Sequence, residues 1–486
     1  MQADKKLPPV WLSLFPLVFL VSLLSCVIYS FGSDALSGAS QIALLLASAT
    51  CVTIGLVFKY TTWENFEKQV VRKISDVTQA VIILFLIGAI SGAWMVSGVV
   101  PTLIYYGMQI LSPDAFLPSA CIICAVVSLM TGSSWTTVAT IGIALLGIGR
   151  ALGFSDGWIA GAIISGAYFG DKISPLSDTT VLASSTIGTP IFVHIRYMLL
   201  TTIPSMIITL LIFTIYGISG ESASTNDVDL FSQGLKSTFD ISPWLMIVPV
   251  ATAFMIAKKM PPIMVLFLST LLATIFALIF QPTLLDKIAS DSTSTLISRF
   301  KGAMILVYGS TSIETGVQAL DKLVKTSGMA GMLETIWLII CAMIFAASMS
   351  ATRMIESITN VFLRLAKSTV STVASTVCVG TFLNTVCGDH YLSILLTGNI
   401  FKDVYKKQGF ETRLLSRSTE DSATVTSVLI PWNSCAMAQS TVLGISTLVY
   451  FPFCFFNLIS PLMSIIVSFF VKPIPPTDQT QETDNA

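Results

Sequence analysis

The sequence predicts an all-α polytopic membrane protein of about 10–13 transmembrane helices, arranged as two inverted repeats with re-entrant hairpins and broken helices. Three observations predict it. Of 486 residues, 53% are hydrophobic and only 11% are charged, against about 25% charged in soluble domains. Apolar stretches of the ~20 residues that a bilayer needs recur along the chain, and they are continuous rather than alternating, which excludes a β-barrel. Finally, segment 170–180 places Asp171, Lys172, Pro175 and Asp178 among apolar spans. Charge at membrane depth costs roughly 2.5–3.5 kcal/mol per residue on insertion scales. Such residues persist mainly where they bind ions, relay protons or pair, and broken helices are how transporters expose backbone oxygens to a coupling ion.

Taken in order, the predicted spans are 10–32, 40–58, 78–98, 114–131, 157–169, 190–217, 242–257, 262–281, 299–312, 333–350, 368–386 and 438–468. The first is too long, and too poor in a small-residue cleavage site, for a signal peptide; it reads as a retained span. Segment 59–77, with Trp63 and Phe66, is charged and amphipathic, which suits an interfacial helix with a structural role. Segments 132–150, 170–189, 388–402 and 421–437 are too polar or interrupted for simple spans and read as re-entrant hairpins or broken helices. The organisation that follows is 1–77 for the N-terminal spans and interfacial helix, 78–218 for a first repeat core and 219–298 for linking spans. A second repeat core occupies 299–470, and 471–486 forms a polar tail expected to be disordered.

Lysine and arginine set the orientation. Lys5, Lys6, Lys59, Lys68, Arg72 and Lys73 place the N-terminus and the loop after the second span in the cytoplasm. Lys258, Lys259 and the basic segment 402–417, with Lys402, Lys406, Lys407, Arg413 and Arg417, fall on the same side. Loop 219–240, with Glu221, Asp227, Asp229 and Asp240, falls outside. A net charge of −1 gives no sign of a nucleic-acid partner. Two histidines do not suffice for a histidine-rich metal site, and Cys121 and Cys124 lie in an apolar run where packing explains them.

The two polar clusters superpose without a gap. Pro175 and Pro431 are 256 residues apart, and the same offset relates Gly132 to Gly388, Gly153 to Gly409, Ser184 to Ser440 and Gly188 to Gly444. Loop 148–157 is balanced in charge, whereas its counterpart 404–413 is basic, and opposite loop charge suggests opposite orientation. Inverted repeats bring broken elements together near mid-membrane. Asp171, Asp178, Asp389, Glu420 and Asp421 would then share one neighbourhood.

At these residues the chain resembles the NhaC family of sodium/proton antiporters. The resemblance rests on the 131–135 run from Thr131 to Trp135, the 165–180 run into the first polar cluster, and the 388–393 run from Gly388 to Ser393. Its most specific parts are Glu420, Asp421 and Ser422, and the 429–435 run through Ile430, Pro431, Trp432 and Asn433. It implies exchange of Na⁺ for H⁺ across a bacterial inner membrane, no cofactor beyond the transported ion, and two inverted repeats each with a re-entrant hairpin. The family also includes exchangers of malate and lactate, so a small organic anion remains an alternative cargo. A homodimer is a further open expectation. The sequence departs from the family pattern at Val181 and Leu182, where an asparagine is expected after the paired threonines.

Na⁺ is a hard cation and prefers oxygen ligands. One carboxylate that holds either H⁺ or Na⁺ is the simplest exchange device, provided it titrates near neutrality, a condition partial desolvation can meet. Asp178 leads as the candidate Na⁺ ligand, because it lies between Pro175 and the threonine pair, where the backbone opens; the alternative is a helix-capping aspartate. Asp171 is either a ligand or the ion-pair partner of Lys172. Lys172 either compensates charge when the ion leaves or snorkels. Asp421 is a candidate ligand with Glu420 lining the pocket, although both suit an acidic helix start. Asp389 joins the set from the second hairpin, with Ser174, Ser177, Thr180, Thr424, Asn433 and Ser434 as neutral ligands. Thr131, Ser133, Ser134 and Thr137 line a pocket or pack helices, and Trp432 lines it or packs beside Pro431. His390 is a proton relay or a structural hydrogen-bonding group.

The leading function is a secondary Na⁺/H⁺ antiporter working by alternating access. The alternative is a carrier or exchanger of a small organic anion or amino acid coupled to Na⁺ or H⁺, with Lys172 as the cation for a carboxylate. A passive channel suits two broken-helix sites poorly. No nucleotide-binding loop, zincin motif or nucleophile elbow is present, which argues against an enzyme or an ATP-driven pump.

Overall fold

The computed structural model describes residues 7–31, 38–219, 225–258, 260–289 and 296–471, with the side chains of 225–229, 319 and 322 excepted. Lys5, Lys6, Glu221 and Lys259, the side chains of Asp227 and Asp229, and the tail from 472 onward lie outside the description. The described residues are helical, with one isolated bridge between Thr311 and Thr326.

The chain opens with α1 (Val10–Phe31), α2 (Ala39–Val57) and the amphipathic α3 (Trp63–Asp76). Then come α4 (Thr78–Val96), α5 (Val99–Ile110), α6 (Pro113–Thr131), α7 (Ser134–Thr137) and α8 (Ile143–Ala151), the last two joined by a π-helical turn, Val138–Gly142. A broken pair follows, α9 (Asp156–Ile173) and α10 (Asp178–Ile187), and then α11 (Ile191–Ser219). Next come α12 (Thr225–Thr238), α13 (Ile247–Ala257), α14 (Pro262–Phe280), α15 (Pro282–Ile288), α16 (Leu296–Tyr308) and α17 (Gln318–Val324). The last part runs through α18 (Leu333–Ala351), α19 (Met354–Leu365), α20 (Thr369–Cys387), α21 (His390–Lys407) and α22 (Thr412–Thr419). It closes with α23 (Ser434–Leu443), α24 (Thr447–Tyr450) and α25 (Phe455–Ser468).

Eight described helices are long and apolar enough to span a bilayer, and ten if two pairs bent by 90° each count as one span. The larger count meets the lower end of the sequence expectation, because helices that carry the polar clusters are short or interrupted. Along α11, the exposed Leu200, Ile203, Ile207, Leu211, Ile215 and Ile218 recur every three or four residues. They form one apolar stripe suited to lipid.

The repeat appears in the helix boundaries. Helices α6 and α20 each have 19 residues and start 256 positions apart, and α10 and α23 each have 10 residues at the same offset. Gly132, Gly188, Gly388 and Gly444 end equivalent helices with φ of 66°, 84°, 63° and 65°. A side chain is strained in that left-handed region, which is why glycine recurs there. Gly132 has a second reason: a Cβ there would lie 2.6 Å from the Leu176 carbonyl carbon. N-caps repeat as well, with Ser133 matched by Asp389 and Ser177 by Asn433.

The breaks expected at 170–189 and 421–437 are present. Helix α9 stops at an extended Ser174, and the chain after α22 widens into a π-helical turn, Glu420–Thr424, then tightens through a 3-10 turn before an extended Ile430. Segment 388–402 differs from expectation: α21 is unbroken, and its polarity comes from residues that face a cavity. Segment 132–150 turns at Gly132 and an extended Ser133 and is helical from Ser134 onward, interrupted only by the π-helical turn. One apolar cluster joins the first repeated unit and the linking helices to the end of the second unit, through Val428, Tyr450 and Phe456, and another joins the rest of the second unit to α1 and α2. Trp135 packs against both and marks the seam between them.

Candidate functional site

The polar residues of the first break satisfy the backbone that the break opens. Ser174 Oγ donates to the Leu129 carbonyl at 2.8 Å, and Thr180 Oγ1 donates to the Lys172 carbonyl at 3.0 Å. In the last turn of α9, Asp171 is caged. Its Oδ2 accepts from the Ser134 backbone N–H at 3.1 Å and from Ser134 Oγ at 2.7 Å, and its Oδ1 accepts from Ser177 Oγ at 2.6 Å. Asp178, the first residue of α10, is exposed on a cavity wall.

The second unit supplies Asp389. Its Oδ1 caps α21 by accepting from the Leu392 N–H at 3.0 Å, and its Oδ2 accepts from Ser434 Oγ at 3.3 Å. His390 Nδ1 lies 4.0 Å from Asp389 Oδ2 and 3.1 Å from Cys435 Sγ. Its ring centroid is 4.0 Å from that of Tyr391 and 6.3 Å from that of Trp135.

These groups meet in a cavity of about 710 Å³. Asp171, Ser177, Asp178, Asp389 and His390 form its polar wall, with Trp135, Tyr168 and Tyr391 as aromatic wall. Thr131, Ser133, Ser134 and Thr424 line it as well, whereas Arg72, Asp76 and Gln79 reach it from α3 and α4.

Several sequence candidates are placed elsewhere. Thr137 is buried and donates to the Ser133 carbonyl at 2.9 Å. Ser174 and Thr180 brace the break and do not face the cavity. Asn433 spends its amide on the Cys435 N–H and the Asn384 carbonyl, both at 3.1 Å, and Trp432 donates to the Thr385 carbonyl at 2.7 Å. Ser434 acts through Asp389.

Asp421 and Lys172 form a separate, fully buried cluster. Lys172 does not pair with its neighbour Asp171, since successive helical residues diverge around the axis. Its Nζ bonds Asp421 Oδ1 instead, and Ser460 Oγ at 2.8 Å. Thr201 Oγ1 donates to the same carboxylate oxygen at 3.1 Å, and Arg417 Nε lies 3.8 Å from Oδ2. The single neighbourhood expected for five carboxylates is therefore two: Asp171, Asp178 and Asp389 at the cavity, and Asp421 within the protein. Glu420 is buried off the cavity wall.

Sequence reasoning assigned Arg417 to a cytoplasmic basic loop, but its side chain is 0% exposed. The spacing of Arg417 and Asp421, four residues apart, was the signal for an interior pair on one helix face. The contribution of α3 to the cavity mouth went unread, because amphipathicity alone says only that a helix lies at an interface. Tyr168, Thr201 and Ser460 carried no signal, since hydroxyls in membrane helices usually pack them together.

A cavity walled by carboxylates and hydroxyls from two repeated units with broken helices defines a secondary ion transporter. Comparison with known proteins agrees. The Na⁺/H⁺ antiporter family model matches residues 5–188 and 166–471. The chain is 34% identical over 468 residues to the malate-2H⁺/Na⁺-lactate antiporter of Bacillus subtilis, covering 96% of each. It is 34% identical over 433 residues to the Na⁺/H⁺ antiporter NhaC of Bacillus subtilis, covering 89% of this chain and 91% of the relative. Against NhaC of Alkalihalophilus pseudofirmus it is 35% identical over 422 residues, covering 86% and 88%. The chain belongs to the Na⁺/H⁺ antiporter family.

Proposed function

We propose that this protein exchanges Na⁺ for H⁺ across a bacterial inner membrane by alternating access, with its N-terminus in the cytoplasm. Na⁺ binds in the cavity at Asp171, assisted by Ser134, while Asp178 and Asp389 supply the negative field that draws it in. The observation that carries this reading is the Asp171 cage: a buried carboxylate held at 2.6–3.1 Å by two serines, at the edge of a cavity built from both units. Asp178, the leading ligand on sequence grounds, is more exposed than Asp171 and suits an entry position.

The test is Na⁺-induced proton movement in proteoliposomes that enclose a pH dye, with Asp171→Asn and Asp178→Asn beside wild type. Proton movement on adding Na⁺ alone, lost in Asp171→Asn, supports the reading. Movement that survives in Asp171→Asn but not in Asp178→Asn moves the ligand to Asp178.

A second reading has one observation in its favour. A cavity of about 710 Å³ far exceeds a bare cation and falls in the range of small-molecule sites. A relative also bears the name of a malate/lactate exchanger. The charges weigh against an organic anion. Asp171, Asp178 and Asp389 line the polar wall and Asp76 stands beside Arg72 at the mouth, so acids outnumber that one arginine, and Lys172 is committed to Asp421 outside the cavity. Flux that requires malate or lactate in addition to Na⁺ would establish this second reading.

A further inference from the structure

The mechanism above leaves the buried Glu420 unused. Glu420 is 0% exposed, and neither carboxylate oxygen has a partner at full hydrogen-bond geometry. It opens the π-helical turn Glu420–Thr424, the kind of irregularity often found at functional sites. Its neighbour Asp421 is the opposite case, with one oxygen taken up by Lys172, Thr201 and Ser460. Lys172 and Asp171 of α9 lie within electrostatic reach of Glu420, and the hydroxyls of Thr179 and Thr424 stand beside it. Its own segment adds Arg417 and Asp421, α11 faces that pair with His194, and α21 sets Tyr405 against Arg417. From α25 comes the Ser460 hydroxyl, and from α20 Asn384, which donates to the Ala423 carbonyl at 2.6 Å.

A line of hydroxyls connects Glu420 to the cavity. Ser177 has one proton and donates it to Asp171 at 2.6 Å, so the 2.9 Å contact between Ser177 and Thr179 must use the Thr179 proton. The Thr179 oxygen is then an acceptor, and a protonated Glu420 is the group beside it with a proton to give. We infer that Glu420 is the resting site of the transported proton, joined to the cavity through Thr179 and Ser177, so that H⁺ and Na⁺ occupy different carboxylates. Transfer balances along the line. Glu420 gives its proton to Thr179, which passes its own to Ser177, which passes its own to the Asp171 carboxylate. The proton crosses Asp171 only in passing, on its way to the cavity, and Na⁺ settles there once the proton has left, so the two ions meet at Asp171 but rest on different carboxylates. An unpaired buried charge is costly, and a proton on Glu420 removes it while Na⁺ is absent.

This inference rests on the exchange reading, and its test separates the two. Radiolabelled Na⁺ counterflow at fixed pH reads the sodium site alone; Na⁺-driven proton movement reads the coupled cycle. For Glu420→Gln we expect unchanged counterflow with proton movement down on the order of a hundredfold, and partial recovery in Glu420→Asp. Thr179→Val keeps the acid and breaks the line; it should slow proton movement at unchanged counterflow, and it decides the matter if Glu420→Gln does not fold. Full proton movement in either variant overturns the inference, as does equal loss of counterflow and proton movement in folded Glu420→Gln. Absence of Na⁺-driven proton movement in wild type would bring down the exchange reading itself.

Discussion

The two repeated units share their backbone but not their chemistry. Helix ends, left-handed glycines and N-caps recur at one offset, yet the acids do not. Asp171 and Lys172 correspond to Ser427 and Val428, and Glu420 and Asp421 correspond to Ile164 and Ser165. One correspondence is a swap: the Asp389 and Ser434 pair of the second unit occupies the positions of Ser133 and Asp178 in the first. The difference teaches that repetition builds the opened helices, whereas each charge is placed once and has no spare copy.

The comparison is most severely tested at the buried cluster. Asp421→Asn leaves Lys172 and Arg417 without their carboxylate, and breaking a buried pair costs about 3–5 kcal/mol, which should appear as a large drop in thermal stability. Adding Lys172→Met should recover part of it; a double variant as unstable as the sum of the singles would show that the two residues do not act as a pair. Next comes the cavity. Asp171→Asn should weaken the Na⁺ dependence of transport by about 10–100-fold, the worth of a charged contact. The matching change in the other unit, Ser427→Ala, should leave it unaltered. Equal effects would mean that the units share chemistry after all.

Backbone equivalence predicts a smaller, symmetric effect. Gly188 and Gly444 have open space around them, so Gly188→Ala and Gly444→Ala should each cost only the left-handed strain of about 1–2 kcal/mol. Unequal melting shifts would show that the two turns carry different loads. The smallest effect belongs to a control outside both broken helices. Thr315 donates its N–H and Oγ1 to Asp321 Oδ1, both at 2.6 Å, and holds that carboxyl below its usual range. A depressed group stabilises above its unfolded value, and the benefit fades as pH falls through the folded one. Asp321→Asn should therefore loosen the Thr315 amide to hydrogen exchange near neutral pH, with the difference vanishing in acid and transport untouched.

Much of this layout was legible because punctuation is local. Gly132, Pro175 and their counterparts act through backbone conformation, which depends on residue type alone. Asp171 and Asp178 stood out because charge among apolar residues needs a reason. What stayed hidden was partnership. The pairing of Lys172 with Asp421 spans 249 positions, and no spacing rule reaches that far. Arg417 was misread because a basic run resembles a cytoplasmic loop whether or not one member turns inward. Helix α21 looked broken because its cavity-facing residues diluted its hydropathy without interrupting its hydrogen bonds.

The cages around Asp171 and Asp389 are each made within one unit, whereas the Lys172–Asp421 bond crosses between them. That bond works as a weld. Parting it in a dry interior would cost several kcal/mol at every turnover, so a movement that keeps the two units together at this bond costs less than one that parts them there. A cysteine staple across the weld should therefore leave turnover intact.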